Sequence, residues 1–411
     1  MTIKKISILA FGLFSILCQA QLTIDAELRP RFEYRHGYKD LFPDNAEPAA
    51  FVSQRTRLNT AFSKDKYSFY LSLQDVRVWG DAAQLTENDK SFALHQAWAK
   101  INFTNTFALK VGRQEVIYDD SRMFGNVGWA QQARSHDLAL AQLGNGNYKL
   151  DIGAAFNQEK EVLTSNLYNL NSYKTFQYLW YNRLIGKVNT SILFLNNGMQ
   201  DVANEKVRYS QTIGTHLKFN IAEKLSANTN LYYQTGKDVS DSDLSAYLIG
   251  LDLNYKASDK SKISLGGEIQ SGTDYDETDK NHSFSPFYGT NHKFNGLMDY
   301  FYVGNHFNNV GLIDVYAKFD TKLGSKSNLA IALHNFSAQA KINSDVDKQL
   351  GTELDLVYGY NFSSDINISA GFSQMFASEG MEALKGGTDI NWNHWGWVML
   401  TIKPELFKSN N

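Results

Sequence analysis

The chain has almost no cysteine and little proline: one Cys, at position 18, and five Pro among 411 residues. A lone thiol cannot build a disulfide framework, so stability must come from elsewhere. Few prolines leave long β-ladders uninterrupted. Charge of one sign is also missing, with 40 Lys+Arg against 43 Asp+Glu. That balance gives no electrostatic footprint for nucleic acid. Beyond residue 20 no run of about 18 apolar residues occurs, which excludes a transmembrane helix.

What is present begins with a targeting segment. Lys4 and Lys5 precede an apolar run from Ile6 to Leu17, and Cys18-Gln19-Ala20 offers small residues at a cleavage site. Residues 1–20 read as a secretory signal peptide, with Gln21 starting the mature chain. A lipoprotein anchor at Cys18 is the alternative, but Ser15-Ile16-Leu17 is bulky for one. The segment carries two of the lysines and no acid, so the remainder has a net charge of −5. Aromatics reach 13%, with 22 Tyr and 26 Phe. An exported, aromatic-rich, proline-poor chain without helical spans suits an all-β transmembrane antiparallel barrel, a single domain over 21–411. A secreted propeller or solenoid is the rival, and no repeat of about 40 residues supports it.

Strand periodicity follows. Leu22, Ile24, Ala26, Leu28, Phe32 and Tyr34 share one face; Asp25, Glu27, Arg29, Arg31, Glu33 and Arg35 share the other. The connections then separate a membrane barrel from a soluble sandwich. Short turns near 63–66, 104–105, 144–147, 186–187, 220–224, 257–261, 321–327 and 361–365 alternate with longer loops near 37–50, 80–91, 118–134, 159–172, 197–206, 237–243, 272–308, 338–349 and 378–389. Short periplasmic turns and long extracellular loops, with about 18 strands, are the outer-membrane pattern.

Two strands break phase. Asp75 and Arg77 continue the face of Phe69 and Leu71, and Arg113 continues that of Leu109 and Val111. A charge facing mid-bilayer lipid costs roughly 2–4 kcal/mol, so bulges near Gln74 and Gly112 are expected to return Arg77 and Arg113 to the lumen. The alternative places them above the hydrocarbon. A barrel this wide leaves an aqueous channel unless loops fill it. Loop 272–308, with Phe284, Phe287, Tyr288, Phe294, Tyr300, Phe301 and Tyr302, is the expected plug.

The densest charge lies between Gly112 and Asp137: Arg113, Arg122 and Arg134 with Asp119, Asp120 and Asp137. Either these brace a loop, or they line a passage for an anion, since Arg forks grip carboxylates. Arg29, Arg31 and Arg35 beside Arg55 and Arg57, with Arg77, extend this into a basic lining, offset by Asp25, Glu27 and Glu33. Enzyme chemistry is hardly visible. His136 and Asp137 face opposite sides of a strand, and no nucleophile elbow, zinc motif or phosphate loop occurs. Asp274, Asp276, Glu277 and Asp279 could hold calcium or form a solvated acidic loop. No cofactor is expected.

Val111-Gly-Arg-Gln, Asp119-Asp-Ser-Arg122, Trp129 and Arg134-Ser-His-Asp137 resemble the alginate export family of outer-membrane barrels. Arg31-Phe-Glu-Tyr-Arg35, Arg55-Thr-Arg57 and Gln74-Asp-Val-Arg-Val-Trp79 are similar to its first strands. His292-Lys-Phe-Asn-Gly296 with Asp299, and Trp395 to Pro404, resemble its C-terminal half. The resemblance implies an 18-stranded barrel whose arginine-lined constriction passes a polyuronate. It implies Arg113, Arg122 and Arg134 as polyanion contacts, oriented by Asp119, Asp120 and Asp137. The net charge of −5 departs from a dominantly basic lining. The expected protein is a monomeric channel in the lipid of a Gram-negative outer membrane, passing an anionic saccharide or similar solute. An enzyme or receptor on the same barrel is the alternative.

The alternation of connections generates a topology test. Single cysteines at Asn45, Asn88 and Ser344 should react with an impermeant thiol reagent on intact cells, whereas those at Lys64, Asn145 and Ser325 should not. Uniform labelling would overturn the barrel, and the reverse pattern its orientation.

Overall fold

The computed structural model describes residues 20–86, 88–170, 172–306 and 309–409. Most of the expected signal segment, including Cys18, lies outside the described residues. Twenty strand segments join in one sheet. Lys280–Asn281 lies within a loop and Glu405–Lys408 continues the last strand past Pro404, which leaves 18 staves. These are β1 Ala20–His36, β2 Ala49–Lys64, β3 Tyr67–Val78, β4 Phe92–Asn102, β5 Phe107–Gln114, β6 His136–Gly144, β7 Tyr148–Phe156, β8 Tyr173–Ile185 and β9 Val188–Asp201. There follow β10 Lys206–Ala222, β11 Leu225–Lys237, β12 Asp243–Lys256, β13 Ser261–Gln270, β14 Leu312–Lys322, β15 Ser327–Ser337, β16 Gln349–Asn361, β17 Ile366–Ala377 and β18 Asn393–Ile402. Each pairs antiparallel with its sequence neighbour, and β18 returns to β1 from Leu28↔Ile402 to His36↔His394. A closed ring has no edge, so every ladder group finds a partner without water.

Its faces are inverted relative to a soluble protein. On β1 the outward Phe32 is 44% exposed, while its inward neighbour Glu33 is 0% exposed. Leu28, Ile213, Ile249, Leu251 and Val398 are likewise bare on the outside, and Arg29, Arg31, Arg55 and Asn59 are buried within. Lipid must cover the first set. The eight short connections all fall at one end and the longer loops at the other. One expected loop contracts. β9 and β10 stay paired as far as Asp201↔Lys206, held by Asp201 contacts to Asn204 and Arg208, so 197–206 shrinks to a tight turn.

The two expected bulges need correction. β3 stays in register with β2 from Ser53↔Val78 to Lys64↔Tyr67. The shift falls instead across from β4, where Ser72 faces Gln96 and Leu73 faces Leu94, making His95 the extra residue. Asp75 and Arg77 therefore keep the outward side, near the extracellular end. There Arg77 bonds Asp75 at 2.6 Å, Asp89 at 2.6 Å and Ser91 at 2.8 Å, so neutralisation removes the need for a bulge. At Gly112 the pairing with both β4 and β6 is unbroken. A φ of +123° turns the backbone there, and a Cβ would sit 2.3 Å from the Ala97 carbonyl oxygen.

Gly112→Ala should therefore combine a left-handed backbone with a clash, at a cost of about 1–3 kcal/mol. Urea midpoints read from the heat-modifiable gel mobility of the folded barrel test this. Gly146→Ala, with nothing within 4 Å, is the control. Equal midpoints for both variants would refute the strain argument.

Candidate constriction inside the barrel

Two connections turn into the lumen, 115–135 between β5 and β6 and 271–311 between β13 and β14. They meet in mid-barrel. Gly125 N–H donates to the Tyr288 carbonyl at 2.8 Å, Thr290 N–H to the Ser121 carbonyl at 2.9 Å, and Val127 N–H to Thr290 Oγ1 at 3.1 Å. Gly289 permits the approach, since a Cβ there would lie 2.3 Å from the Arg122 carbonyl oxygen.

Apolar side chains fill the space around them. Phe124 packs with Phe176, Tyr178, Leu195, Tyr232, Phe284 and Tyr288 against β8 to β12. A second cluster joins Met298, Tyr300, Phe301 and Tyr302 to Phe336, Met381 and Trp395. Of the aromatic residues expected in a plug, Phe284, Tyr288, Tyr300, Phe301 and Tyr302 are buried, and Phe294 lies under the Arg122 guanidinium at 4.5 Å.

The ladder arginines are occupied by this inward loop. Arg29 donates to the Gly128 carbonyl at 2.8 Å, to Trp129 at 3.2 Å and to Gln131 Oε1 at 2.9 Å. Arg31 donates to the Trp129 carbonyl at 2.7 Å and lies 3.9 Å over its indole. Arg55 reaches the Gln131 carbonyl at 3.4 Å and Glu27 at 2.5 Å. Glu33 takes Arg31 and Arg35, both at 2.8 Å. Arg57 differs. Its Nε bonds Gln74 at 2.9 Å, but among the described residues its buried Nη2 has no hydrogen-bond partner.

Of the central cluster, only Arg113 and Asp137 form the expected pair, at 2.8 Å. Arg122 is 0% exposed and is held by Glu268 at 2.6 Å with Asn291 and Asn295. Asp119 accepts from Trp180 at 3.0 Å and Ser191 at 2.7 Å; Asp120 accepts from the Arg122 N–H at 3.0 Å and from Asn230 at 2.7 Å. These two acids anchor the loop to the wall rather than orienting an arginine. Arg134 donates to the Gly289 carbonyl at 3.0 Å and, among the described residues, has no carboxylate at ion-pair distance. Burial lowers its pKa from the ordinary arginine value.

Arg113 and Arg134 line a cavity of about 830 Å³ at the loop end, with Tyr173, Phe287, Tyr288 and Gln234. A second cavity of about 540 Å³ opens at the turn end, lined by Lys100, Tyr118, Gln142, Lys149, Asp151 and Trp180. The Phe124 cluster lies between them. His136 meets the Tyr173 hydroxyl at 3.0 Å rather than its neighbour Asp137. Asp274 accepts the Lys341 N–H, and Glu277 those of Asp279 and Lys280. Among the described residues no three acidic or histidine side chains converge as a metal requires.

Several partners escape sequence reading. Glu268, Asn291 and Asn295 hold Arg122 from 146 to 173 residues away. Gln131 bridges Arg29 and Ser53, and Glu353 accepts the Met298 N–H at 2.8 Å. No local pattern marks them.

The barrel resembles solved porins. Acinetobacter baumannii OccAB4 has 12% identity and a TM-score of 0.65, covering 94% of this chain and 98% of that one. Pseudomonas aeruginosa OpdL has 12% identity and a TM-score of 0.64, covering 94% and 99%. P. aeruginosa OpdK, solved with vanillate, has 12% identity and a TM-score of 0.61, covering 94% and 98%. No curated protein sequence matches the chain. The molecule is an outer-membrane channel of a Gram-negative bacterium. The model of the family described as alginate export matches residues 20–382, and the chain belongs to that family.

Proposed function

We propose that the channel conducts an anionic solute, an acidic saccharide being the class its family suggests, as a monomer in outer-membrane lipid. The observation that carries this is Arg134. It stands in the wall of the loop-end cavity with no carboxylate at ion-pair distance among the described residues, whereas Arg113 beside it is neutralised by Asp137. A fixed charge in a narrow, partly low-dielectric passage acts more strongly than on an open surface. Loops 115–135 and 271–311 narrow that passage. The buried Arg29, Arg31, Arg55 and Arg122 act as loop braces whose charge the solute senses only at a distance.

The two kinds of arginine respond differently to substitution. Arg134→Gln should leave folding intact and shift the reversal potential in a salt gradient toward cations, more at low ionic strength. Unchanged selectivity in the folded variant would remove Arg134 from the path. Arg122→Gln should instead strand the buried Glu268 carboxylate at a cost of about 3–5 kcal/mol. Heat-modifiable mobility should then show a loss of folded barrel, recovered by adding Glu268→Gln. A folded Arg122→Gln protein with altered selectivity would place Arg122 in the path.

A further inference from the structure

Of the five prolines, Pro43, Pro48 and Pro286 lie in loops, and the other two, Pro30 and Pro404, stand in the barrel wall. Both fall on the seam where β18 closes onto β1. The Ala26 N–H donates to the Pro404 carbonyl at 3.1 Å, so position 26 aims its backbone groups across the seam. Alternate residues of a strand aim the same way, and position 30 therefore aims there too. The N–H that Pro30 lacks is one the seam would have used. Pro404 turns its carbonyl to β1 and has no N–H to add.

The pairing shows the consequence. β1 pairs with β2 without a break from Ala20↔Lys64 to Arg35↔Ala49, and β17 with β18 from Ile366↔Ile402 to Met375↔Asn393. Along the seam the ladder runs from His36↔His394 to Arg31↔Met399 and resumes only at Leu28↔Ile402. Below that the register shifts between Ile24 and Asp25, where Glu405–Lys408 takes over from β18. Among the described residues, Leu28 is thus the one position between Asp25 and Arg31 with a ladder partner across the seam.

The two halves of the seam also differ in their side-chain ties. On the loop-side half the Trp395 indole N–H donates to buried Glu33 at 3.1 Å. On the turn-side half Lys403 reaches Glu27 at 3.2 Å, with the lysine side chain 59% exposed. An exposed pair is weak and is screened by salt. This weaker half carries the constriction. Arg29 lies in the ladder gap and holds the carbonyls of Gly128 and Trp129 and the side chain of Gln131. Ser53 on β2 also accepts from Gln131, at 3.1 Å, and the unbroken β1–β2 ladder makes the two strands lean together. An outward lean of β1 takes that stretch of loop with it.

We propose that the turn-side half of the β1–β18 seam is a gating hinge, which parts and recloses and, through Arg29, shifts loop segment 128–131 to widen and narrow the constriction. It rests on the reading of a conducting channel and adds how its opening is controlled.

Residue-resolved hydrogen exchange of the full-length barrel in detergent tests the hinge without requiring conductance. The amides of Ala26 and Leu28 face the seam, and those of Glu27 and Arg29 face β2. The first two should exchange roughly tenfold faster than the second two, because the ladder bonds beside them are missing. Pro30→Val restores the missing donor and should remove most of that difference. Equal exchange in the native chain, or no slowing in folded Pro30→Val, would overturn the hinge. Single-channel recording tests the coupling to the constriction. Leu28→Cys with Ile402→Cys, directly opposed across the seam, should on oxidation abolish stepwise transitions between conductance levels, and reduction should restore them. Leu58→Cys with Leu73→Cys, opposed on the unbroken β2–β3 ladder, should leave the transitions unchanged. Raising the salt concentration should make them more frequent in the native chain. Their absence from the native chain, or their persistence in the oxidised seam variant, would overturn the hinge. A channel that gates through the seam but prefers cations would keep the hinge and reject the anionic cargo; anion-selective conductance with an evenly protected seam would do the reverse.

Discussion

Closure of the ring is the constraint on which the rest depends. In lipid an unpaired N–H or C=O has no water to turn to, so the sheet must pair its last strand with its first. β18 does this along β1, and Pro404, which lacks an N–H, contributes its carbonyl to Ala26 at 3.1 Å. With 18 staves the ring is too wide for its own side chains to fill. Something else must occupy the lumen. Two connections do, and irregular backbone inside a barrel brings its own orphan carbonyls.

The arginine ladder answers that need. Arg29, Arg31 and Arg55 supply fixed N–H forks to the carbonyls of Gly128, Trp129, Ala130 and Gln131, none of which is in a regular ladder. Guanidinium suits this better than ammonium because its donors lie in one plane and can serve successive carbonyls at once. Glu27 and Glu33 on β1 neutralise the charge, Glu27 reaching Arg55 on β2 and Glu33 reaching Arg31 on its own strand. The basic stripe is therefore first a scaffold for the constriction. This also accounts for a channel of net negative charge that still carries many lumen arginines.

The fold and the sorting of its connections are legible in the sequence because both are local. Alternation on β1 and the sorting of short and long connections follow from the pleat and the bilayer, and both depend on residues near one another in the chain. Pairing choices were not legible. Arg122 takes Glu268 rather than Asp119 or Asp120 because the loop crosses the lumen before it meets the wall. Phase was misjudged for a similar reason. Asp75 and Arg77 read as charges in lipid until Asp89 and Ser91 arrive from the next loop to pair with them.

Counter-charge, more than charge, sorts the basic residues by role. Arg29, Arg31, Arg55 and Arg122 are buried with acids or carbonyls on their donors, and removing one would expose a partner that has nowhere else to go. Among the described residues Arg134 has no such acid at ion-pair distance, so the fold gains nothing from its charge. It stands at the loop end of the aromatic layer. A cation left uncompensated in a partly dry lumen lowers the energy of any anion that enters. The folded barrel thus sets an uncompensated cation at the loop end of its constriction, against an apolar layer.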